Sequence, residues 1–458
     1  MASRSSKQEL KSKNRKAVPI YPMMKSKIEW IVTIGLMVGY LNASGQYTNV
    51  KIDEASRAGQ FTNPTVAISR KDVNNIFVTG FSDMIYTSAD GGVTWEKSKI
   101  TTPEMVIDDR ILLSDSRGTL YSIQCIKGNE GDGSGRLVCL ESKDKGKTWD
   151  APVQIGTDAT KAQSWPSASF DNRGNIFVTW TQYDKFESLD SACHSKVYLS
   201  SSSNGKKWSK PVELSQVPGD CMNDDKTVTG AVAAIGPDGK MFATWYGAGK
   251  LYLDRSLSSG MWLENDILIN RDVAPFNLQI KGHAMTTSLP QLGIDQSKGS
   301  YHGCMYVAWA DERNGKDDCD VYFMRSNNHG DNWSSPLRLG SAAKSTHQYA
   351  PKLTLDPTTG MIYVLYYDRG AYDDEQTDVF LSYSSDSGAN FKALKISETP
   401  FVPDDKSNPG LFLNISAYDG VVVPVWSRVD AGVTSILTAS IKATELIKPV
   451  ESKVKKKK

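Results

Sequence analysis

The 458-residue chain is poor in several of the features that usually announce a chemistry. It has 5 histidines, and its 6 cysteines include no Cys-x-x-Cys pair, so no zinc-ligand spacing is present. Neither sign of charge dominates. Lys and Arg number 53 against 52 Asp and Glu, and a net charge of +1 gives no general attraction to nucleic acid. Helical periodicity is hard to find between Gln46 and Ile441. The apolar-rich run Trp30 to Leu41 is short of the about 20 residues that a membrane span requires.

That run instead fits a secretory signal. Lys7, Lys11, Lys13, Arg15, Lys16, Lys25 and Lys27 precede it, and Ala43 and Gly45 are placed for cleavage before Gln46. A start at Met24 gives a signal of more ordinary length, and an uncleaved anchor is the alternative. The expected division is therefore a signal peptide with a basic N-region over 1–45, a folded body over 46–445, and a solvated basic tail over 446–458.

What the body has in abundance is a repeat. Ser88-Ala89-Asp90-Gly91-Gly92-Val93-Thr94-Trp95 recurs as Ser142 to Trp149, as Ser326 to Trp333 with Asn328 for the acid, and as Ser384 to Phe391. A further copy, Ser201 to Trp208, lacks the acid. Successive starts lie 54, 59, 125 and 58 residues apart, so one worn copy is due in the double gap, where Arg255 to Trp262 stands. A period near 55–60 residues, filled with short β-rich runs, predicts an all-β propeller of four-stranded blades. In the third unit those runs are Ser167–Phe170, Asn175–Trp180, Lys196–Leu199 and Pro211–Leu214.

The repeated box falls between the third and fourth strands of its unit. Its Ser and Asp can accept amides of their own loop, its Gly supplies a positive φ, and its Trp can plug between neighbouring sheets. Pro64, Pro166, Pro290, Pro351 and Pro409 mark strand starts, where no ladder donor is needed. With less regular units near Thr119 and Thr229 these give seven blades, six being the alternative count. The last unit lacks a fourth strand, which Tyr47 to Ile52 can supply, closing the ring with an N-terminal strand.

The six cysteines suit export. Cys125 and Cys139 flank a Gly-rich hairpin loop and could face each other, Cys193 and Cys221 make a second plausible bridge, and Cys304 and Cys319 are harder to pair.

Because the boxes occupy one face, ligands are expected on the other, where second strands end and blades connect. Asp83, Tyr183, Asp184, Tyr246, Asp311, Arg313, Asp368, Arg369, Arg428 and Asp430 follow second strands there; Asp108-Asp109-Arg110, Trp165, His283 and His347 stand between blades. Arg313, Arg369 and Arg428 follow Trp309, Tyr367 and Trp426 in three successive blades, so they could converge on one carboxylate. Alternatively each pairs with Asp311, Asp368 or Asp430 and braces a loop. No bound cofactor is implied, although calcium could find oxygen ligands at Asp317, Asp318 and Asp320 or at Asp373, Asp374 and Asp378; solvated acidic loops are the other reading.

Repeated Ser-x-Asp-x-Gly-x-x-Trp boxes on a secreted propeller resemble the sialidase (neuraminidase) superfamily, where they are called Asp-boxes or BNR repeats. The resemblance covers nearly all of Phe61 to Ile441, and Val307 to Arg313 followed by Asp320 to Phe323 looks like its secreted bacterial members. It implies three arginines on a sialic-acid carboxylate, an Asp as acid/base, and a Tyr nucleophile assisted by a Glu, an exception to the two-carboxylate scheme. Carried onto this chain, Asp83 takes the acid/base place, Tyr349 the nucleophile's, and Arg313, Arg369 and Arg428 the carboxylate's, with Asp311, Asp368, Trp165 and His347 around the substrate. The Arg-Ile-Pro of the enzymes is replaced by Thr62-Asn63-Pro64, and Asn408 to Leu411 lacks the expected Tyr. Two functions are consistent with this pattern: an exo-sialidase-type glycoside hydrolase acting on an acidic sugar, or a non-catalytic propeller that binds a glycan or protein.

Overall fold

The computed structural model describes residues 47–447 apart from 58, 59, 61, 102–105, 128–134, 157, 159, 259, 260, 263, 264, 272, 316, 341–345 and 405–411. The expected signal segment, the basic tail beyond Ile447 and Pro409 lie outside the described residues.

Seven antiparallel sheets are arranged as propeller blades. Their first strands, in chain order, are Thr65–Ile68, Val106–Ser114, Ala162–Phe170, Val228–Ile235, Gln291–Ile294, Gln348–Leu355 and Leu413–Tyr418. All seven contribute to the wall of one axial cavity of about 450 Å3, so they are the innermost strands. The seventh blade is completed from the other end of the chain. Val50–Glu54 pairs with Val433–Thr438, Val50 lying opposite Thr438, and closes the ring as expected, two to three residues later than the expected segment. Closure of this kind leaves no long unpaired sheet edge. Two additions depart from the simple plan. The fourth blade carries two short edge strands, Met261–Trp262 and Ile267–Asn270, on one partner, and a hairpin of Asn277–Ile280 and His283–Thr287 lies between the fourth and fifth blades. Helix among the described residues is limited to Ala443–Leu446.

Second strands are buried on both sides, which is why they read as unbroken apolar and aromatic runs such as Met305–Asp311 and Ile362–Asp368. Trp180, Trp245, Trp309 and Trp426 occupy them in the third, fourth, fifth and seventh blades, fully buried. The recurrent turn fastens each sheet to the one before it. Ser142 Oγ accepts the Gly146 amide at 2.9 Å, Asp144 accepts the Thr148 amide at 2.8 Å, and the Trp149 indole donates to the Gly146 carbonyl. Gly388, at φ +72°, shows why glycine is needed: a Cβ there would strike Phe323 of the preceding blade. Arg255 reaches forward to the His329 carbonyl and Asp331, and Arg325 to the Ser387 carbonyl, tying consecutive blades through the turns.

Some sequence readings change in detail. The third copy of the turn has not lost its acceptor: it is one residue shorter, and Asn204 takes the Lys206 and Lys207 amides at 2.9 and 3.0 Å. Thr119 stands just before the second strand of blade two, Leu120–Lys127, whose first strand contains Arg110, so Asp108 to Arg110 are not a link between blades. Pro166 and Pro351 sit within bulged inner strands and not at strand starts. Cys193 and Cys221 are bridged, with Cα atoms 5.8 Å apart. Cys125 and Cys139 are not bridged, because Cys139 lies opposite Ile123, two residues out of register. Such diagonal neighbours stand about 7–8 Å apart, too far for a bridge.

Candidate functional site

The cavity mouth away from the recurrent turns is shaped by one backbone device used repeatedly. Inner strands of blades three, four and six are bulged between Ser164 and Ser167, Thr229 and Val232, and Tyr349 and Lys352. At each bulge a residue takes positive φ: Trp165 at 53°, Gly230 at 68° and Ala350 at 55°. Pro166 and Pro351, having no N–H to give the ladder, follow two of them. For a residue as bulky as Trp this backbone is strained, and the strain turns Trp165 toward the cavity it helps to line. Its ring is fixed edge-on against Phe276 at 5.8 Å, and its Nε1 donates to Asn223 Oδ1 at 3.3 Å.

Arg110 enters the same cavity from blade two. Only 8% exposed, it donates through Nη1 to the Ser82 carbonyl, while its Nε has no partner among the described residues. Burial pushes its pKa down to about 10, with Asp83 acting in the opposite direction. Asp83 thus lies within electrostatic reach of Arg110, in the turn after the second strand of blade one, and its carboxylate is 3.6 Å from Lys99 Nζ. Asn63, Thr286, Thr287 and Lys352 also line the cavity. No Asp or Glu does so among the described residues, whereas Arg70, Arg110 and Lys352 all do.

The three arginines singled out from sequence are each held in a separate network, and none lines this cavity. Arg313 donates to Asp311 through Nε at 2.9 Å and through Nη2, with its guanidinium 4.3 Å from the Tyr322 ring. Arg428 grips Asp430 with Nε and Nη2, both at 2.6 Å, and also donates to Thr399 and Pro400. Arg369 does not pair with Asp368. It is buried, donates to Thr377 Oγ1 at 3.1 Å and the Lys281 carbonyl at 2.8 Å, and lies 5.5 Å from the Tyr349 ring. Asp368 instead accepts Gln348 and the Gly370 amide, and burial raises its pKa.

Tyr349 has no exposed surface. It packs against His283 at 4.7 Å and Tyr367 at 5.4 Å, and burial raises its phenol pKa. A side chain so enclosed, outside the cavity lining, is not placed to attack a sugar. His347 is partly buried beside it, its pKa lowered by burial and by Arg369, and its carbonyl accepts the Arg369 amide. The acidic loops considered for calcium direct their carboxylates to protein donors: Asp320 to Arg338 and Asn314, Asp378 to Lys395, Tyr372 and Ser397. Of the site residues expected from sequence, then, Trp165 lines the cavity, and Asp83 lies outside its lining but within electrostatic reach of Arg110. Sequence reading missed Arg110 as a site residue although it stood among the rim positions, because its strand was taken for a loop.

No family model and no curated protein matches this sequence. Among solved structures the chain resembles an ulvan lyase of a polysaccharide lyase family, 12% identical with a TM-score of 0.50 over 86% of this chain and 99% of that one. It is also similar to an α-L-arabinofuranosidase from Fusarium graminearum (15% identical, TM-score 0.49, 88% and 99% covered) and to the NanB sialidase from Streptococcus pneumoniae (10%, 0.45, 88% and 99%). At identities this low the likeness is one of fold, resting on the ulvan lyase: a β-propeller architecture that this chain shares.

Proposed function

We propose that this chain is an exported, sialidase-like propeller carrying Asp-box turns, and that it binds an acidic glycan at the Arg110 and Trp165 mouth without cleaving it. One observation carries the reading: the cavity is lined by three cations and, among the described residues, by no carboxylate. Glycoside hydrolysis of the ordinary kind needs two carboxyl groups about the scissile bond, and the exceptional scheme needs an accessible Tyr. A sugar carboxylate is instead matched by the under-bonded Arg110 fork, and a sugar ring by the fixed face of Trp165. The Cys193–Cys221 bridge supports an oxidising destination.

A second reading, hydrolysis with Asp83 as acid/base, is favoured by the closeness of Asp83 to Arg110. The decisive experiment pairs a glycan array with fluorogenic sialosides and acidic glycosides, comparing wild type with Arg110→Ala, Trp165→Ala and Asp83→Asn. Binding without turnover, weakened about tenfold or more by Arg110→Ala, is expected from a lost charge-assisted contact. Turnover abolished by Asp83→Asn would establish the hydrolase instead.

A further inference from the structure

The opposite mouth of the cavity, on the face that carries the recurrent turns, holds an arginine that nothing above employs. Arg70 stands in the turn between the first two strands of blade one. Its guanidinium reaches over the axis to lie 5.0 Å from the ring of Phe170, at the end of the inner strand of blade three, and 5.9 Å from Tyr418, at the end of that of blade seven. It lines the cavity, and among the described residues it has no hydrogen-bond acceptor; the Asp115 carboxylate acts on it only through its charge, outside ion-pair contact. Between them in the ring, blade two presents Ser114, a residue of the cavity lining that is 4% exposed and whose buried hydroxyl has no partner among the described residues. The neighbouring Asp115 gives its hydrogen bonds elsewhere, accepting Arg117 and the Arg117 and Thr119 amides, so that only its charge reaches Arg70.

Unsatisfied donors at a partly buried position are costly, and contact with two aromatic rings does not supply acceptors. The rings do constrain shape. With its Cζ over the Phe170 and Tyr418 rings, the guanidinium keeps a planar set of N–H donors, the geometry that a planar carboxylate accepts. We propose that Arg70 and Ser114 form a receptor for a carboxylate-bearing small molecule, an acidic sugar or an acidic amino acid, at the turn-side mouth of the cavity. This site is separate from the Arg110 mouth and does not depend on the glycan reading.

The test is calorimetric titration of the full chain with D-glucuronate and L-glutamate, with D-glucose as the uncharged control, for wild type, Arg70→Met, Arg70→Lys, Ser114→Ala and Arg110→Ala. Expected is binding of one or both acids but not glucose, weakened about tenfold or more by Arg70→Met, less by Arg70→Lys, which keeps charge and loses the fork, and measurably by Ser114→Ala. Arg110→Ala removes any separate glucuronate binding at the other mouth, so the Arg70-dependent binding should persist in that background. Glucuronate alone identifies a sugar ligand, glutamate alone an amino acid, and either supports the site. Without ligand, Arg70→Met should melt at the same temperature as wild type or higher, because a desolvated cation with no hydrogen-bond acceptor is removed. Failure of wild type to bind either acid, equal binding of glucose, or undiminished affinity in Arg70→Lys and Ser114→Ala would overturn the proposal. So would a fall in Tm for Arg70→Met, which would make Arg70 a structural bar between rings.

Discussion

The buried His283 makes acid sensitivity a direct reading of the fold. Its ring is enclosed by Tyr349 and Tyr367, its Nε2 has no partner among the described residues, and burial together with the nearby Arg369 pushes its pKa from 6.5 down to about 3. A depressed folded-state pKa means that the unfolded chain takes up a proton near pH 6.5 while the folded chain stays neutral. Stability from this residue is therefore complete above pH 6.5 and declines as pH falls toward 3. Linkage puts the loss between pH 7.5 and pH 5.0 at about 2 kcal/mol, a figure set by the unfolded pKa so long as the folded one stays below 4. His347, whose pKa is also lowered, acts in the same direction, and Asp266, raised to about 6 by burial, acts in the opposite one. A pH profile of wild type alone mixes these groups. The informative quantity is the difference between wild type and His283→Phe in urea unfolding, followed by tryptophan fluorescence at pH 7.5 and 5.0. The wild type should lose about 2 kcal/mol more than the variant over that interval. Equal losses would refute the reasoning and mean that His283 gains a proton without opening the core.

The remaining expectations concern the ring. Reducing the Cys193–Cys221 bridge, or replacing both residues by Ser, opens a loop with a sequence separation of 28 and should cost about 3–4 kcal/mol, read as a shift in urea midpoint with and without reductant. Ser142→Ala strands the buried Gly146 amide and should cost about 1–3 kcal/mol in the same assay, with glycan binding unchanged. Gly388→Ala must place a Cβ at positive φ against Phe323; about 1–3 kcal/mol is expected, and a neutral result would mean that the turn can shift without loosening blades five and six.

What was legible in the sequence was whatever repeats. Spacing of the Ser-x-Asp-x-Gly-x-x-Trp turns gave the blade period, the strand starts gave the count of seven, and the missing fourth strand of the last unit called for one from the N-terminal end, found at Val50–Glu54. Blade two was harder to delimit. Its first strand, Val106–Ser114, carries Asp108-Asp109-Arg110 in its first half, and a charged stretch reads as a loop even where it belongs to an inner strand that lines the axial cavity. Arg110 was passed over for that reason. Its side chain is needed by the cavity, not by the strand.

The arginines show a second limit. Arg313, Arg369 and Arg428 occupy similar sequence positions in successive blades, and equivalence of position suggested a common ligand. Yet each is at the end of a second strand, one layer out from the axis, where the nearest acceptors belong to its own or an adjoining loop: Asp311, Thr377 with the Lys281 carbonyl, and Asp430 with Thr399. In a ring of radial sheets only the innermost strands bring different blades within reach of one small ligand. Convergence is thus expected of residues on first strands or the turns that end them, and the two arginines that line the axial cavity, Arg110 and Arg70, are placed in that way, at opposite mouths. Which arginines can share an anion is decided by their layer in the sheet before it is decided by their spacing in the chain.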